Sequence, residues 1–110
     1  MPPEMREPTF LVLTALTEGP LHGYALVRAV ETLSGGRVRL RPGTLYGALD
    51  RLGDEGLVRA HGEEIVDGRL RRYYELTPDG IDALSAATDR MAANVTRARI
   101  RLQALGVVGA

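Results

Sequence analysis

Arg41-Pro42-Gly43-Thr44-Leu45-Tyr46-Gly47-Ala48-Leu49-Asp50-Arg51-Leu52 is the stretch that decides the fold. Pro42 suits the first turn of a helix, where its missing N–H costs nothing. Leu45, Leu49 and Leu52 recur at helical spacing and form a stripe for a core. The opposite face carries Thr44, Gly47, Ala48 and Arg51, with Tyr46 on the flank. Small residues there let the helix backbone approach another surface closely. That surface is either a neighbouring helix or the floor of a DNA groove. Thr44 and Tyr46 can meet phosphate, and Arg51 can reach a phosphate or a guanine edge. Gly56 sits where a helix C-terminal cap belongs.

Downstream, residues 57–66 and 69–76 read as two extended runs. Asp67-Gly68 between them is a strong hairpin signal. With that turn, Ile65 faces Leu70, Glu64 faces Arg71 and Glu63 faces Arg72, so opposite charges pair across the strands. Gly62 is a candidate bulge. Arg69, Arg71 and Arg72 flank the turn; the last two serve either the cross-strand carboxylates or an external phosphate.

Upstream, residues 8–16 read as a helix, with Phe10, Leu13 and Leu16 at helical spacing and Gly19-Pro20 stopping it. A second helix runs from about residue 22 to 33, with Leu26, Val30 and Leu33 on its stripe and Gly35-Gly36 ending it. His22 opens it either as a cap or as part of a phosphate site. Val38 and Leu40 then alternate with Arg37, Arg39 and Arg41, the pattern of a short strand with one cationic side. The second and third helices make a helix-turn-helix, and the hairpin after them makes a wing. The basic groups Arg39 and Arg41 lead into the third helix, where a duplex would lie.

Thr77-Pro78 starts a last helix, with a threonine cap and proline in the first turn. Ile81, Leu84, Thr88, Met91, Val95, Ala98, Leu102 and Leu105 are spaced 3, 4, 3, 4, 3, 4, 3, an a/d heptad pattern over roughly 40 Å of helix. A domain this small cannot cover the whole stripe. The second half needs a partner, and a second copy of the chain is the economical one. Two copies would set two recognition helices about 34–36 Å apart, one turn of a palindromic duplex.

The composition excludes other classes. The 110 residues suffice for one domain, and 45% of them are hydrophobic. All 14 basic residues are arginine and 14 residues are acidic, so no overall positive field exists and any nucleic-acid case rests on local distribution. Arginine suits bidentate phosphate and guanine contacts; GC-rich coding gives the same usage. There is no cysteine, and the two histidines, His22 and His61, lack metal-ligand spacing. No phosphate-binding glycine loop or carboxylate pair beside a nucleophile argues for an enzyme. No signal peptide or membrane span is read, so the expected location is the cytoplasm. No cofactor and no metal are expected.

The run Leu21-His22-Gly23-Tyr24, then Pro42-Gly43-Thr44-Leu45-Tyr46, Glu55-Gly56-Leu57-Val58 and Arg72-Tyr73-Tyr74-Glu75-Leu76-Thr77-Pro78-Asp79-Gly80 closely resembles the PadR family of transcriptional regulators. The resemblance covers about residues 8–105. It implies a winged helix, a homodimer built through a single C-terminal helix, and repression of a neighbouring gene. It places DNA contacts on Thr44 and Tyr46, on Tyr24 or its neighbours, and near Arg69. Arg41 stands where many members have serine before the Pro-Gly pair.

The expected class is therefore mainly α with a small sheet (α+β): a winged helix-turn-helix domain over 1–76, its wing about 57–76, and a dimerisation helix over 77–110. Candidate DNA-binding residues are His22, Tyr24, Arg39, Arg41, Thr44, Tyr46, Arg51, Arg69, Arg71 and Arg72. Candidate dimer residues are Ile81, Leu84, Met91, Val95, Ala98, Leu102 and Leu105. Phe10 and Met91 either fill the core or line a gap for a small-molecule inducer. The expected partners are double-stranded operator DNA and a second copy; the alternative is a winged-helix module that binds an acidic protein.

Overall fold

The computed structural model describes residues 5–107; the outer ends of the expected domains, 1–4 and 108–110, lie outside them. Helix α1 spans Glu7–Ala15 and runs into a 3-10 turn at Leu16–Glu18. Strand β1 is Leu21–His22, followed by α2 at Gly23–Leu33 and α3 at Pro42–Asp54. The hairpin consists of β2, Val58–Val66, and β3, Arg69–Leu76; α4 occupies Pro78–Ala104. The three strands form an antiparallel sheet in the order β1-β3-β2. This is a winged helix-turn-helix with a long C-terminal helix.

The core is made by the stripes read from the sequence, except that Leu33, read onto the stripe of α2, is 50% exposed at the end of that helix. Val12, Leu13, Leu26, Val30, Leu45, Leu49 and Leu52 are all essentially inaccessible to solvent. They bring α1, α2 and α3 around one apolar centre, closed from below by Val58 and half-buried Tyr74 and Leu76 of the sheet. Full burial of each such side chain contributes about 1.5–3 kcal/mol.

Helix α3 ends as its sequence requires. Gly56 has φ +76°, and the Leu57 N–H donates to Leu52 O at 2.9 Å while the Gly56 N–H donates to Gly53 O at 3.0 Å. That double closure needs a residue at positive φ, which glycine adopts without a Cβ penalty. It turns the chain sharply into β2.

The hairpin register is the one the charges suggested: Ile65 opposite Leu70, Glu64 opposite Arg71, Glu63 opposite Arg72, with a bulge between Ala60 and Gly62. Asp67 and Gly68 both have positive φ, 53° and 75°, the backbone of the tight turn whose twist matches a hairpin.

One expectation fails. Residues 37–41 are not a strand. Val38 and Leu40 do face the core, and alternation alone produces that without a ladder. The free edge of β3 is taken instead by β1, with Leu21 opposite Tyr74 and His22 opposite Tyr73. The 37–41 segment is held by Ser34, whose hydroxyl accepts from the Val38 N–H at 2.8 Å.

Helix α4 packs on the domain only along its first half. Gly80 and Ala87 are buried, and Leu84 and Met91 half-buried, on a face that meets α1 and β3. Beyond Asn94 the described residues of α4 are exposed, so the molecule is elongated, 58 × 30 × 22 Å.

Candidate nucleic-acid interface

The N-terminus of α2, one flank of α3 and the outer half of β3 enclose an open cleft of about 350 Å³. His22, Gly23, Tyr24, Tyr46 and the run Arg69-Leu70-Arg71-Arg72 line it. Each of these has a local reason to be there. Tyr46 follows Leu45 in α3, about 100° round the helix from the buried stripe. Its phenol lies over the α2 N-terminus: a Cβ on Gly23 would come within 2.5 Å of Tyr46 Oη. The absence of a side chain at Gly23 therefore lets the two helices meet there. This contact links two motifs that lie more than twenty residues apart in sequence.

His22 caps α2. Its Nδ1 accepts from the Ala25 N–H at 3.2 Å, which leaves the ring proton on Nε2, available to donate. The ring stands edge-on to Tyr73 with centroids 5.5 Å apart. Burial holds the imidazole pKa below its ordinary value, the nearby Arg71 adds to this, and Glu64 opposes it. A folded-state pKa below the unfolded value means the unfolded chain binds the proton first as pH falls. The stability tied to a neutral, part-buried His22 is thus complete above about pH 6.5 and is lost as pH drops below it. The thermal midpoint is expected to fall across that window in the natural chain. It should change less in His22→Asn, whose amide oxygen caps without titrating. Glu75, held below its usual range first by its hydrogen bond to Arg59, acts only in a lower window, below about pH 4.5. Equal slopes for both proteins between pH 5 and 7 would show that another group dominates.

Tyr24 projects from the first turn of α2, 68% exposed, with the Arg28 guanidinium 5.9 Å from its ring centre. On the wing, Arg72 Nε bonds Glu63 Oε1 at 3.1 Å, so its charge is partly committed within the sheet. The Glu64 carboxylate accepts from Tyr73 Oη at 2.9 Å, and this hydrogen bond raises the Tyr73 pKa. Among the described residues, Arg69 and Arg71 join no ion pair.

The other candidates lie outside this cleft. Thr44 is exposed but sits about 200° from Tyr46 around α3, on the opposite flank. Arg41 is the N-cap residue of α3 and makes no side-chain cap bond; Arg39 pairs with Glu31 at 3.5 Å. Arg51 is turned away from the cleft. Its guanidinium donates to Thr9 Oγ1 of α1 at 3.0 Å, and it lines a separate cavity with Arg6, Glu55, Ala83 and Arg90.

Of the proposed dimer residues, Leu84 and Met91 are half-buried within the chain, whereas Ile81, Val95, Ala98, Leu102 and Leu105 are exposed. Met91 lines a shallow depression with Met5, Ala87, Arg90 and Asn94, and Phe10 is not among its lining residues. The sequence reading missed Leu70 in the cleft and Tyr73, which stands against His22 beside it. Their signal was the dense HGY and RRYY runs, but which residues those runs face depends on β1 pairing with β3. Among the described residues, no three His, Asp or Glu side chains gather as a metal site, and no helix is long and apolar enough to cross a membrane.

Comparison with known proteins supplies the lineage. A family model described as the transcriptional regulator PadR-like family matches residues 12–86. The chain is 50% identical over 82 residues to an uncharacterized 37.1 kDa protein in transposon TN4556 of Streptomyces fradiae, covering 74% of this chain and 22% of that one. It is 39% identical over 74 residues to the transcriptional regulator Rv3488 of Mycobacterium tuberculosis, covering 67% of this chain and 65% of that one. The chain thus spans less than two thirds of the length of either relative. Among solved structures, a PadR family transcriptional regulator from Eggerthella lenta superposes with a TM-score of 0.70 at 28% identity, over 86% of this chain and 80% of that one. Bacillus subtilis PadR in complex with operator DNA superposes with a TM-score of 0.65 at 24% identity, over 74% of this chain and 46% of that one; at that identity the likeness concerns the fold. Because the matched region runs from within α1 to the first turns of α4, more than half of the chain, this chain belongs to the PadR-like family of transcriptional regulators.

Proposed function

We propose that the protein is a sequence-specific DNA-binding repressor that acts in the cytoplasm as a homodimer on a palindromic operator. The observation that carries this reading is the cleft itself. It gathers the free N–H groups of a helix N-terminus, the Nε2–H of His22, two tyrosine hydroxyls and the wing arginines on one side of the domain. Such a set suits phosphate oxygens. In this reading α3 enters the major groove with Gly43, Thr44 and Gly47 outward, Tyr24, Tyr46 and His22 hold the backbone, and Arg69 and Arg71 reach the phosphates beside the wing. Arg41 adds charge near the start of α3, and Arg39, paired with Glu31, would reach a phosphate only by leaving that partner. Arg51, exposed but bonded to the Thr9 hydroxyl, would join these contacts by swinging from α1 toward the duplex. That the B. subtilis protein of the same fold was solved with operator DNA supports looking for DNA as the partner.

The balanced net charge is no obstacle. The carboxylates Glu63, Glu31 and Glu75 pair within the domain, while Arg69 and Arg71 carry uncommitted charge at the cleft. The test is binding to duplexes recovered by the protein from a random-sequence pool, measured across a salt series. Affinity is expected to fall steeply with salt. Arg69→Ala should weaken binding to all sequences alike and lower the salt slope by about 1. Recovery of no duplex, together with salt-dependent capture of an acidic protein, would replace this reading by a protein-interaction module.

A further inference from the structure

The tip of the wing is apolar. Ile65 and Leu70 face each other across the hairpin and are 75% and 55% exposed. Two large aliphatic side chains held out at the end of a lever are unusual on a regulator whose other exposed aliphatics lie largely along α4. As a cross-strand pair they steady the hairpin, but a threonine pair would do that without exposing hydrocarbon.

Their position points to an occupant. Residues alternate along β3, so Leu70 shares a face with Tyr74 and Leu76, and those two pack against the core. The tip is the outward continuation of the face that looks along α3, and Leu70 lines the same cleft as His22, Tyr24 and Tyr46. Arg69 and Arg71 lie immediately to either side of it in sequence and on the opposite face. An apolar pair bordered by guanidinium groups matches a surface that is hydrocarbon within and anionic at its edges. The DNA minor groove has that character: its walls are deoxyribose C–H groups and its rims are phosphates. A second copy of the chain is a poorer fit, because the apolar stripe available for self-association lies on α4.

We propose that Ile65 and Leu70 form an apolar wedge that seats against the deoxyribose walls of the minor groove, with Arg69 and Arg71 on the flanking phosphates. The proposal rests on the DNA-binding reading above and adds to it a component of affinity that salt does not screen. Aliphatic side chains pressed into the minor groove open base steps and bend the duplex away from themselves. The wedge therefore favours sites with flexible pyrimidine–purine steps at the wing position.

The test compares the natural chain with Leu70→Thr and with Ile65→Thr/Leu70→Thr, using duplexes the natural chain selects from a random pool. Threonine keeps strand propensity, and a thermal scan checks that the wing variants stay folded. The expected result is an affinity loss of about tenfold for the double variant, from the hydrocarbon no longer covered. The salt slope should stay unchanged and the end-to-end bend, read by energy transfer, should be smaller. Netropsin, which fills the minor groove, should narrow the gap between natural chain and variant. Unchanged affinity in the double variant would overturn the wedge while leaving the DNA-binding reading intact. A loss accompanied by a lower salt slope would also overturn it, since that would place the effect in the arginines. Failure of the natural chain to bind any duplex would overturn both readings.

Discussion

Gly80→Ala is expected to destabilise the fold by about 3 kcal/mol, although alanine in place of glycine within a helix ordinarily stabilises it by about 1 kcal/mol. The reversal comes from one contact. Gly80 lies in the first turn of α4, where its N–H donates to Thr77 Oγ1 at 3.0 Å. The carbonyl of Leu57 lies directly over its Cα: a Cβ there would sit 2.0 Å from Leu57 O, 3.0 Å from Leu57 C and 3.2 Å from Leu76 Cδ2. The same Leu57 oxygen accepts from the Thr77 N–H at 3.1 Å, and Thr77 Oγ1 also donates to Gly56 O. A methyl group at residue 80 must push backbone, not a flexible side chain. It would therefore disturb the threonine cap and the closure of α3 together, and part the start of α4 from the start of β2. Lost cap and backbone hydrogen bonds add about 1 kcal/mol each to the steric cost. Gly53→Ala supplies the contrast. It lies inside α3 with nothing within 4 Å of its virtual Cβ, so it should stabilise or leave the fold unchanged. Urea unfolding of the two variants beside the natural chain reads the difference directly. A Gly80→Ala protein as stable as Gly53→Ala would mean that the α4 start can shift without cost.

What could be read from the sequence followed how local the physics is. The caps at Thr77 and Gly56, the Asp67-Gly68 turn and the charge-paired hairpin register depend on neighbours a few residues away, and each stands in the structure as read. The leucine stripe of α3 was legible because periodicity alone identifies a buried face. Two kinds of feature were not legible. Strand β1 has two residues and no period; it exists because the edge of β3 is free beside it, and that edge is created only by the fold. Overlooking it hid the contact of His22 with Tyr73, while the alternation at 37–41 imitated a strand that no partner edge completes. Arg51 is the second kind. A helical wheel gives the direction of a side chain but not what stands there, and α1 places Thr9 at that position. On α4 the heptad count favoured large residues, so it passed over Ala87, which is 2% exposed. A small side chain carries little weight in a hydrophobic pattern, yet it permits the close approach of the helix to the domain.

Val95→Glu is expected to convert the proposed dimer to a folded monomer. The a/d stripe of α4 continues past the domain through Val95, Ala98, Leu102 and Leu105. Val95 is 49% exposed and Leu105 79% exposed in the single chain. For one chain alone, a glutamate at residue 95 costs little, because its carboxylate meets water. Across a two-fold helix pair the same carboxylate would be enclosed and would face its own copy, and a buried unpaired charge costs about 3–5 kcal/mol. That is a loss of roughly a hundred- to several thousand-fold in the association constant, since each 1.4 kcal/mol is about tenfold. Ile100→Glu separates the stripe from general helix polarity. Ile100 is as exposed as the stripe residues, yet at about 100° per residue it lies some 140° round the helix from Val95. A charge there should leave association intact. Sedimentation at micromolar concentration should therefore give a dimer for the natural chain and for Ile100→Glu, and a monomer for Val95→Glu. Circular dichroism of Val95→Glu should still report the winged helix, because the core of α1, α2 and α3 does not involve residue 95. Operator affinity should fall far more than the salt slope per subunit, since one recognition helix must then bind without its partner. A natural chain that sediments as a monomer, or a Val95→Glu protein that pairs as tightly as Ile100→Glu, would remove the dimer and with it the palindromic operator.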